Sequence, residues 1–564
     1  MGEDFLPDSS VDYDVIVVGA GLAGLAAARE LLRNEPSLRV LVVEAKERIG
    51  GRILTVPMRA VRGRKIDVDL GGTIVRRTQE NITRLIEDFR LETFPQYTDG
   101  LKWGQLGVPQ LRPYTTRRPS MSIRESLALW WTLGRMEKLA EKVDVRNVFS
   151  WSQADELNET TLAHWIRENA IGRSARDAIE IASRSTYGIE PNRINLLYHL
   201  AVCKSTGLFG NLIQPCSEKA EALQVKGGAQ QICTRMADEI GTNRILLNRA
   251  VNRFDIDEAL GITRVHTYST IGGEDRTVYT CSQVICAIPW NQCRSIMFSP
   301  SLPHLKERLF ESTVAENLIK FVVTYETAFW RKEGWSGEMI STGRTTKPGE
   351  VLPVICTFDY TSPAGDPAIM GFINEEYADM TKEDRCNAVV QDLMRVLGER
   401  AMTQFVDYQD KVWSKELFSG GSPSSVMPYG TMDSWQTRQE PFLSVHFAGT
   451  ETASQWIGYM DGAVESGVRT AHEVLHQLGH HDKVSYKVLE GTLYDSEYQT
   501  PRTSSNHYVE SSSYWPGAAF FLTVLCIGIF VYSRKYRLSY TARVVRPLEK
   551  VLVKFSTGID WPGE

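Results

Sequence analysis

An α/β fold is predicted for this chain of 564 residues from three observations. A short β-branched run at residues 13–18 is followed by closely spaced glycines and by an alanine- and leucine-rich helical segment. A second apolar run at residues 39–44 ends in an acidic residue, which completes a βαβ unit. Another glycine-rich block lies far along the chain, at residues 447–467. The predicted architecture is therefore an α/β nucleotide-binding domain interleaved with an α+β domain.

The first turn carries the pattern GxGxxG, and each glycine in it has a physical reason. Gly19 permits a tight turn, Gly21 lets the backbone approach a pyrophosphate, and Gly24 lets helix and strand pack closely. The helix amino terminus offers free N–H groups and a positive dipole end. Glu44 is placed to accept a hydrogen bond from a ribose hydroxyl. This predicts a Rossmann-like dinucleotide site; the alternative is a tight glycine turn in another α/β sheet.

Composition excludes several other classes of protein. Hydrophobic residues make up 42% and charged residues 23% of the chain, which excludes a mainly disordered, collagen-like or coiled-coil protein. The net charge of -6 provides no basic field for nucleic acid. The 9 cysteines include no CxxC pair, so neither a zinc module nor a disulfide framework is indicated.

The segments that follow the βαβ unit resemble the FAD-dependent amine oxidases. Gly50, Gly51 and Arg52 extend the motif beyond the acid, and in that family Gly-Gly-Arg lies against the FAD phosphates. The block at residues 456–467 is similar to the flavin-containing monoamine oxidases in particular. The further flavin-contacting positions that the resemblance implies are Gly71, Gly72, Thr73, Val251, Gly449, Glu451 and Met460.

The resemblance extends over about residues 14–479 and implies a discontinuous FAD-binding domain. Strands at residues 244–247 and 284–289 look like its middle part, and residues 318–325 look like the substrate-domain sheet. The predicted boundaries are 12–85, 221–295 and 406–480 for the FAD-binding domain, 86–220 and 296–405 for the substrate domain, 481–513 for a linker, 514–533 for a transmembrane helix and 534–564 for a basic tail.

Three residues are expected to carry the chemistry that the resemblance implies, in which FAD accepts the hydride equivalent. Lys320 matches the family lysine that holds a water on flavin N5; the alternative is a lysine on the solvent face of an edge strand. Trp413 matches the tryptophan beside the isoalloxazine ring, an interpretation that overlaps with an ordinary core tryptophan. Tyr459 matches one wall of the aromatic cage that the substrate nitrogen crosses. A helix from about residue 460 to 478 is expected to point its amino terminus at the flavin.

The sequence departs from the monoamine oxidases at two places. Ser422 and Pro423 stand where those enzymes carry the FAD-linked cysteine and a second cage tyrosine. FAD is therefore expected to bind noncovalently, with the cage half built. Arg76 and Arg77 replace a Gly-Pro pair and could bind a substrate carboxylate, although a solvated or phosphate-facing structural pair is the usual role of adjacent arginines.

The predicted reaction is oxidative deamination of a small-molecule amine by FAD and O2, giving an aldehyde, ammonia and hydrogen peroxide. An amino-acid or polyamine oxidase on the same fold is the nearest alternative. A membrane-tethered flavin-binding protein with little turnover is another. The HExxH pattern formed by His472, Glu473 and His476 matches zinc proteases, but chance spacing on the flavin helix is the preferred interpretation, and no metal is predicted.

The carboxyl end of the chain predicts a membrane anchor. Residues 515–532 contain no charge and are followed at once by Arg534, Lys535 and Arg537, which is the length and pattern of a short span. No secretory signal is expected, because residues 1–10 carry acidic groups and no apolar run. The expected location is the mitochondrial outer membrane with the catalytic domain facing the cytosol; the endoplasmic reticulum is the alternative. A homodimer is left open, and nucleic acid is not expected as a partner.

Overall fold

The computed structural model describes residues 11–108, 110–114, 121–207, 222–272, 275–315, 317–345 and 350–495. Met1–Thr500 forms one compact unit, and a second unit, Pro501–Glu564, lies outside the described residues. The predicted transmembrane helix and basic tail belong to that second unit. Within the described ranges, every helix is too short or too polar to cross a membrane.

Strands occur along the whole of the first unit. In chain order they are β1 Tyr13–Val18, β2 Val40–Val43, β3 Thr55–Arg59, β4 Lys65–Asp69, β5 Ile74–Arg76, β6 Thr93–Pro95, β7 Leu101–Gly104, β8 Arg112–Tyr114, β9 Ala222–Val225, β10 Ile245–Leu246, β11 Arg249–Asp257, β12 Ile262–Ser269, β13 Arg276–Cys286, β14 Met297–Ser299, β15 Val314–Ala315, β16 Ile319–Tyr325, β17 Trp335–Ile340, β18 Val354–Asp359, β19 Ala368–Ile373, β20 Phe405–Val412, β21 Ser425–Val426 and β22 Val445–Phe447.

The α-helices follow the apolar periodicity of the sequence between these strands. They are α1 Leu22–Asn34, α2 Glu80–Asp88, α3 Ile123–Glu141, α4 Ala154–Asn158, α5 Leu162–Asn169, α6 Gly172–Tyr187, α7 Leu196–Ser205, α8 Gln230–Ile240, α9 Trp290–Cys293, α10 His304–Ser312, α11 Phe329–Lys332, α12 Lys382–Leu397, α13 Arg400–Thr403 and α14 Met460–Gln477.

The first large sheet has the order β10-β2-β1-β13-β12-β11-β14, and β22 also pairs with β13. Its centre is parallel, because β1 pairs in parallel with both β2 and β13. The predicted βαβ unit is confirmed: β1, α1 and β2 follow one another with buried, β-branched strands. The strand predicted at residues 284–289 is the end of β13, which stops at Cys286; Pro289 lies beyond it and has no N–H to donate to a ladder.

This sheet gathers strands from the amino-terminal, middle and carboxyl-terminal thirds of the chain, as a discontinuous domain requires. The helix predicted at about residues 460–478 is confirmed as α14, and it packs across α1. The crossing is close, since a Cβ added to Gly467 would lie 2.3 Å from the Ala23 carbonyl oxygen. The exact domain boundaries stay predictions.

The second large sheet has the order β20-β16-β19-β18-β17-β7-β8 and is mainly antiparallel. Strand β16 pairs with β19 on one side and β20 on the other, and all its residues are buried. The edge-strand alternative for Lys320 is therefore wrong. Burial of an ammonium without hydrogen-bond partners would cost free energy in this position. The groups that Lys320 contacts therefore matter for its role.

Candidate active site

One continuous cavity, with a volume of about 570 Å³, is lined by residues from both large sheets. It brings together most of the predicted site residues from segments that are far apart in sequence. The predicted residues that line it are Gly19, Gly21, Glu44, Gly50, Gly51, Arg52, Gly71, Gly72, Thr73, Val251, Lys320, Trp413, Gly449, Tyr459 and Met460. Gly24 and Glu451 were also predicted to contact the cofactor, but neither is among the lining residues.

The glycine-rich turn has the close packing that its spacing predicts. A Cβ added to Gly24 would lie 1.9 Å from the Gly19 carbonyl oxygen, so Gly24 serves helix packing behind the cavity wall. A Cβ on Gly51 would lie 3.2 Å from the Gly21 Cα, whereas Gly21 itself has nothing nearer than 4.0 Å at its missing Cβ. Two glycine loops therefore meet at the amino end of α1 and leave backbone facing the cavity, which is the arrangement that a pyrophosphate requires.

Glu44 stands at the end of β2, where a ribose-binding acid is expected. Its carboxylate accepts hydrogen bonds from the backbone N–H groups of Ala20 (2.7 Å) and Lys46 (3.0 Å). Burial raises the pKa of this carboxyl group, against these hydrogen bonds. A carboxylate can accept about four hydrogen bonds, so this one can also accept from a ligand hydroxyl in the cavity.

Arg52 links the glycine-rich segment to the two segments nearest the carboxyl end. Its guanidinium donates to both carboxylate oxygens of Glu451, at 2.6 and 3.1 Å, and to the Pro423 carbonyl oxygen at 2.8 Å. Glu451 is only 1% exposed. Glu451 therefore holds the Arg52 guanidinium in place, and a direct contact of Glu451 with the cofactor stays a prediction.

Lys320 lies in the cavity wall with a relative exposure of 4%. Its ammonium donates to the Gly71 carbonyl oxygen at 3.0 Å and to the Thr73 hydroxyl. Burial lowers the pKa of Lys320 to about 8, although the nearby Asp69 carboxylate opposes this shift. The lysine is thus held against the 71–73 segment with a proton affinity suited to proton transfer near neutral pH.

The segment that receives Lys320 is itself anchored from several sides. The indole Nε1 of Trp413 donates to the Leu70 carbonyl oxygen at 2.9 Å. Asp69 accepts from the Ala229 backbone N–H at 3.0 Å and from the Thr55 hydroxyl at 2.6 Å. Trp413 is 1% exposed and also lines the cavity; its place beside the isoalloxazine ring stays a prediction.

The cavity is lined by more aromatic side chains than the sequence predicted. Tyr459 precedes α14 and stacks edge-on against Trp456, with ring centroids 5.4 Å apart. Ser422 and Pro423 line the cavity as expected, and so do Tyr187 and Tyr198, whose ring centroids are 6.2 Å apart. Sequence reasoning missed these two tyrosines because they stand in ordinary helical segments without a motif.

Arg76 and Arg77 have different surroundings in the structure. Arg76 ends β5 and lines the cavity, whereas Arg77 is exposed and is not among the lining residues. Only Arg76 is therefore placed to meet a ligand.

The HExxH residues point to different partners. Glu473 is bound by Arg469 and by the His446 ring nitrogen at 3.0 Å. His472 lies 3.2 Å from a Glu30 carboxylate oxygen and accepts from the Ser485 backbone N–H. In the described part of the chain, no three metal-binding side chains are gathered. These contacts favour chance spacing on a packed helix.

The glycine cradle, the acid at the end of β2 and the buried lysine in the adjoining wall fit a bound FAD, and together they define a flavoprotein of the oxidoreductase class. Residues 22–475 match the family described as flavin containing amine oxidoreductase. The chain belongs to this family, is an enzyme of it, and uses FAD as its cofactor.

Several relatives show the extent of the similarity. A flavin-containing amine oxidase of Danio rerio is 30% identical, over 92% of this chain and 95% of the relative. Flavin-containing amine oxidase A of Canis lupus familiaris is 32% identical, over 83% and 86%. Among solved structures, cyclohexylamine oxidase from Brevibacterium oxydans superposes with a TM-score of 0.74 at 26% identity, over 83% of this chain and 100% of that one. A putrescine oxidase bound to putrescine has a TM-score of 0.73 at 25% identity, over 82% and 99%.

Proposed function

We propose that this protein catalyses the oxidative deamination of a small-molecule amine with O2, giving an aldehyde, ammonia and hydrogen peroxide. The observation that carries the proposal is the placement of Lys320: a buried lysine and the dinucleotide cradle line one cavity. A hydrogen peroxide assay over amines and amino acids tests it, with the aldehyde measured in the same samples. Equal amounts of peroxide and aldehyde are expected from the best amine, and no peroxide from any compound would refute the proposal.

The residues of the chain prepare the substrate for this reaction. Bound FAD supplies the acceptor for the hydride equivalent that leaves the carbon beside nitrogen. Lys320 holds and exchanges a proton at Nζ, because burial lowers its pKa to about 8. Tyr459 and the buried apolar lining exclude water and favour the uncharged amine, whose nitrogen lone pair is free.

FAD is expected to be bound without a covalent link. Ser422 lies in the cavity wall at the place of the linking cysteine, and its hydroxyl offers no thioether. Acid precipitation of the yellow protein should release the flavin into the supernatant. Flavin that stays with the pellet would show that another residue is attached to it.

An amino-acid oxidase is the second candidate, and Arg76 is the observation that favours it. A cavity arginine can form a charge-assisted pair with a substrate carboxylate, worth about 1.5–3 kcal/mol. Arg76→Ala should lower kcat/KM only for carboxylate-bearing substrates, by roughly 10-fold or more. The exposed Arg77→Ala is the matched control and should change nothing. Equal effects of both variants on all substrates would exclude a carboxylate site at Arg76.

The open side of the aromatic cage predicts a preference for bulky or substituted amines. Pro423 lines the cavity where a tyrosine ring would form the second wall opposite Tyr459. Pro423→Tyr should raise kcat/KM for benzylamine-like substrates several-fold. No gain on any arylalkylamine would mean that another ring, such as Tyr187 or Tyr198, already closes the cage.

A tail anchor in the mitochondrial outer membrane is part of the proposal and rests on the sequence of residues 515–532. The full chain should resist alkaline carbonate extraction, and a chain that ends at about residue 510 should be soluble and keep its flavin. In intact mitochondria, added protease should reach the catalytic domain. Carbonate extraction of the full chain would contradict the anchor.

A further inference from the structure

A polar trio lines the same cavity on strands remote from Lys320. The Lys102 ammonium donates to one carboxylate oxygen of Glu338, and the Tyr114 hydroxyl donates to the other at 3.3 Å. The side chains of Lys102 and Glu338 are 10% and 15% exposed, and Tyr114 is buried. Burial and the Glu338 carboxylate raise the pKa of Tyr114, so its hydroxyl remains a donor.

The sheet register sets the distance between this trio and Lys320. Lys320 pairs with Phe372, Phe372 with Cys356, and Cys356 with Ile340, across β16, β19, β18 and β17. Three steps of about 4.8 Å place Ile340 roughly 14 Å from Lys320. Glu338 lies two residues before Ile340 and, like it, faces the cavity. A ligand that reaches both ends must therefore be long.

The wall between the two ends is apolar. It consists of side chains from the sheet face and from helix α3, which would accept a hydrocarbon body. These residues are Ile340, Cys356, Phe358, Met370, Phe372, Leu129 and Leu133. The cavity thus has a buried lysine at one end, an apolar middle and an ion pair at the other end.

The charge state of the trio selects the kind of group it can bind. Desolvating an ion pair is costly, and hydrophobic residues of similar volume would line an apolar cavity at least as stably. Because Lys102 and Glu338 already balance each other, a further charged group would bring an uncompensated charge to a buried place. A neutral amide needs no such compensation, since its N–H can donate to Glu338 and its carbonyl can accept from Lys102.

We propose that the trio is a distal subsite for a neutral amide, so that the preferred substrates are long amines with an N-acylated far end. This inference rests on the proposed amine oxidation and adds the substrate class to it. It is tested by comparing kcat/KM for N-acetyl-1,8-diaminooctane, 1,8-diaminooctane and octylamine. The acetylated compound is expected to exceed both others by roughly 10-fold, the worth of hydrogen bonds to charged groups.

Binding without turnover provides an independent readout. N-octylacetamide has the amide and the apolar body but no amine to oxidise. Its binding should perturb the absorbance spectrum of the flavin, and its Kd should be lower than that of 1-decanol, which has a similar length but a hydroxyl in place of the amide. If no amine gives peroxide, the amine-oxidase proposal fails, whereas this titration still decides whether the subsite exists.

The variant that tests the trio replaces both charges together, Lys102→Met with Glu338→Met, because an apolar pair leaves no buried charge unpaired. The ratio of kcat/KM for the acetylated diamine to that for octylamine should fall to about one, and N-octylacetamide should bind roughly 10-fold more weakly. Lys226→Met with Glu92→Met removes an exposed ion pair and is the control. A wild-type preference for the free diamine, or an unchanged ratio in the cavity variant, would overturn the proposal.

Discussion

Lys320→Met is expected to slow the reaction of the reduced enzyme with oxygen by roughly 100-fold while the flavin stays bound, as removal of a positioned proton-transfer group does. Methionine approximately preserves the volume of the lysine stem, so the cavity wall should remain intact. The measurement is rapid mixing of the anaerobically reduced enzyme with oxygenated buffer. Lys332→Met, at an exposed position in the same domain, is the control and should react at the wild-type rate.

The pKa of Lys320 also predicts how the rate of the reaction with oxygen changes with pH. Because burial lowers the pKa of Lys320 to about 8, the ammonium is present below that pH and is lost as the pH rises through it. The wild-type rate with oxygen should therefore fall above about pH 8, and the Lys320→Met profile should be flat in this range. Unchanged rates in the variant would assign Lys320 a structural role only, in holding Gly71 and Thr73.

Arg52→Ala is expected to destabilise the protein by about 3–5 kcal/mol, because it leaves the carboxylate of Glu451 buried without its cation. The same guanidinium also holds the Pro423 carbonyl in place, so flavin affinity should fall together with stability. Urea unfolding monitored by tryptophan fluorescence gives the free energy of unfolding, and the flavin retained after gel filtration gives the binding. Glu451→Gln should cost less, since it removes the buried charge and keeps an acceptor for Arg52.

Arg59→Ala is the matched control for this pair. Arg59 lies 3.4 Å from Asp407 with its side chain 69% exposed, and an exposed ion pair of this kind contributes less than about 1 kcal/mol. Equal destabilisation by Arg52→Ala and Arg59→Ala would show that the buried pair does not stabilise the fold.

The dinucleotide site was predictable because the contacts that form it lie within a short stretch of the chain. Gly19, Gly21 and Gly24 have their roles within one turn, and the steric reason for each can be stated from sequence spacing alone. The same holds for Glu44, since the length of α1 and β2 determines where the acid stands. The structure confirms this unit with strand and helix bounds close to those predicted.

The contacts that the sequence did not predict join segments that are distant along the chain. The buried pair of Arg52 with Glu451 joins two residues that lie almost 400 positions apart along the chain. Arg76 and Arg77 are adjacent in sequence, yet only Arg76 lines the cavity, because β5 ends at Arg76 and Arg77 lies in the exposed turn that follows. No local pattern carries this information.

The sequence by itself therefore determined the flavin family, the nucleotide cradle, the position of the candidate lysine and the departures at Ser422 and Pro423, because each depends on residue type and short spacing; the burial of Lys320 was decided by the sheet. Only the tertiary structure decided what completes the substrate cavity. Sheet pairing places Lys320 and Ile340 roughly 14 Å apart, with Glu338 two residues before Ile340 on the same strand. Helix packing adds Tyr187 and Tyr198 to the lining. The physical reason is that strand register and helix docking depend on many weak contacts across the whole chain, which no single segment of the sequence displays.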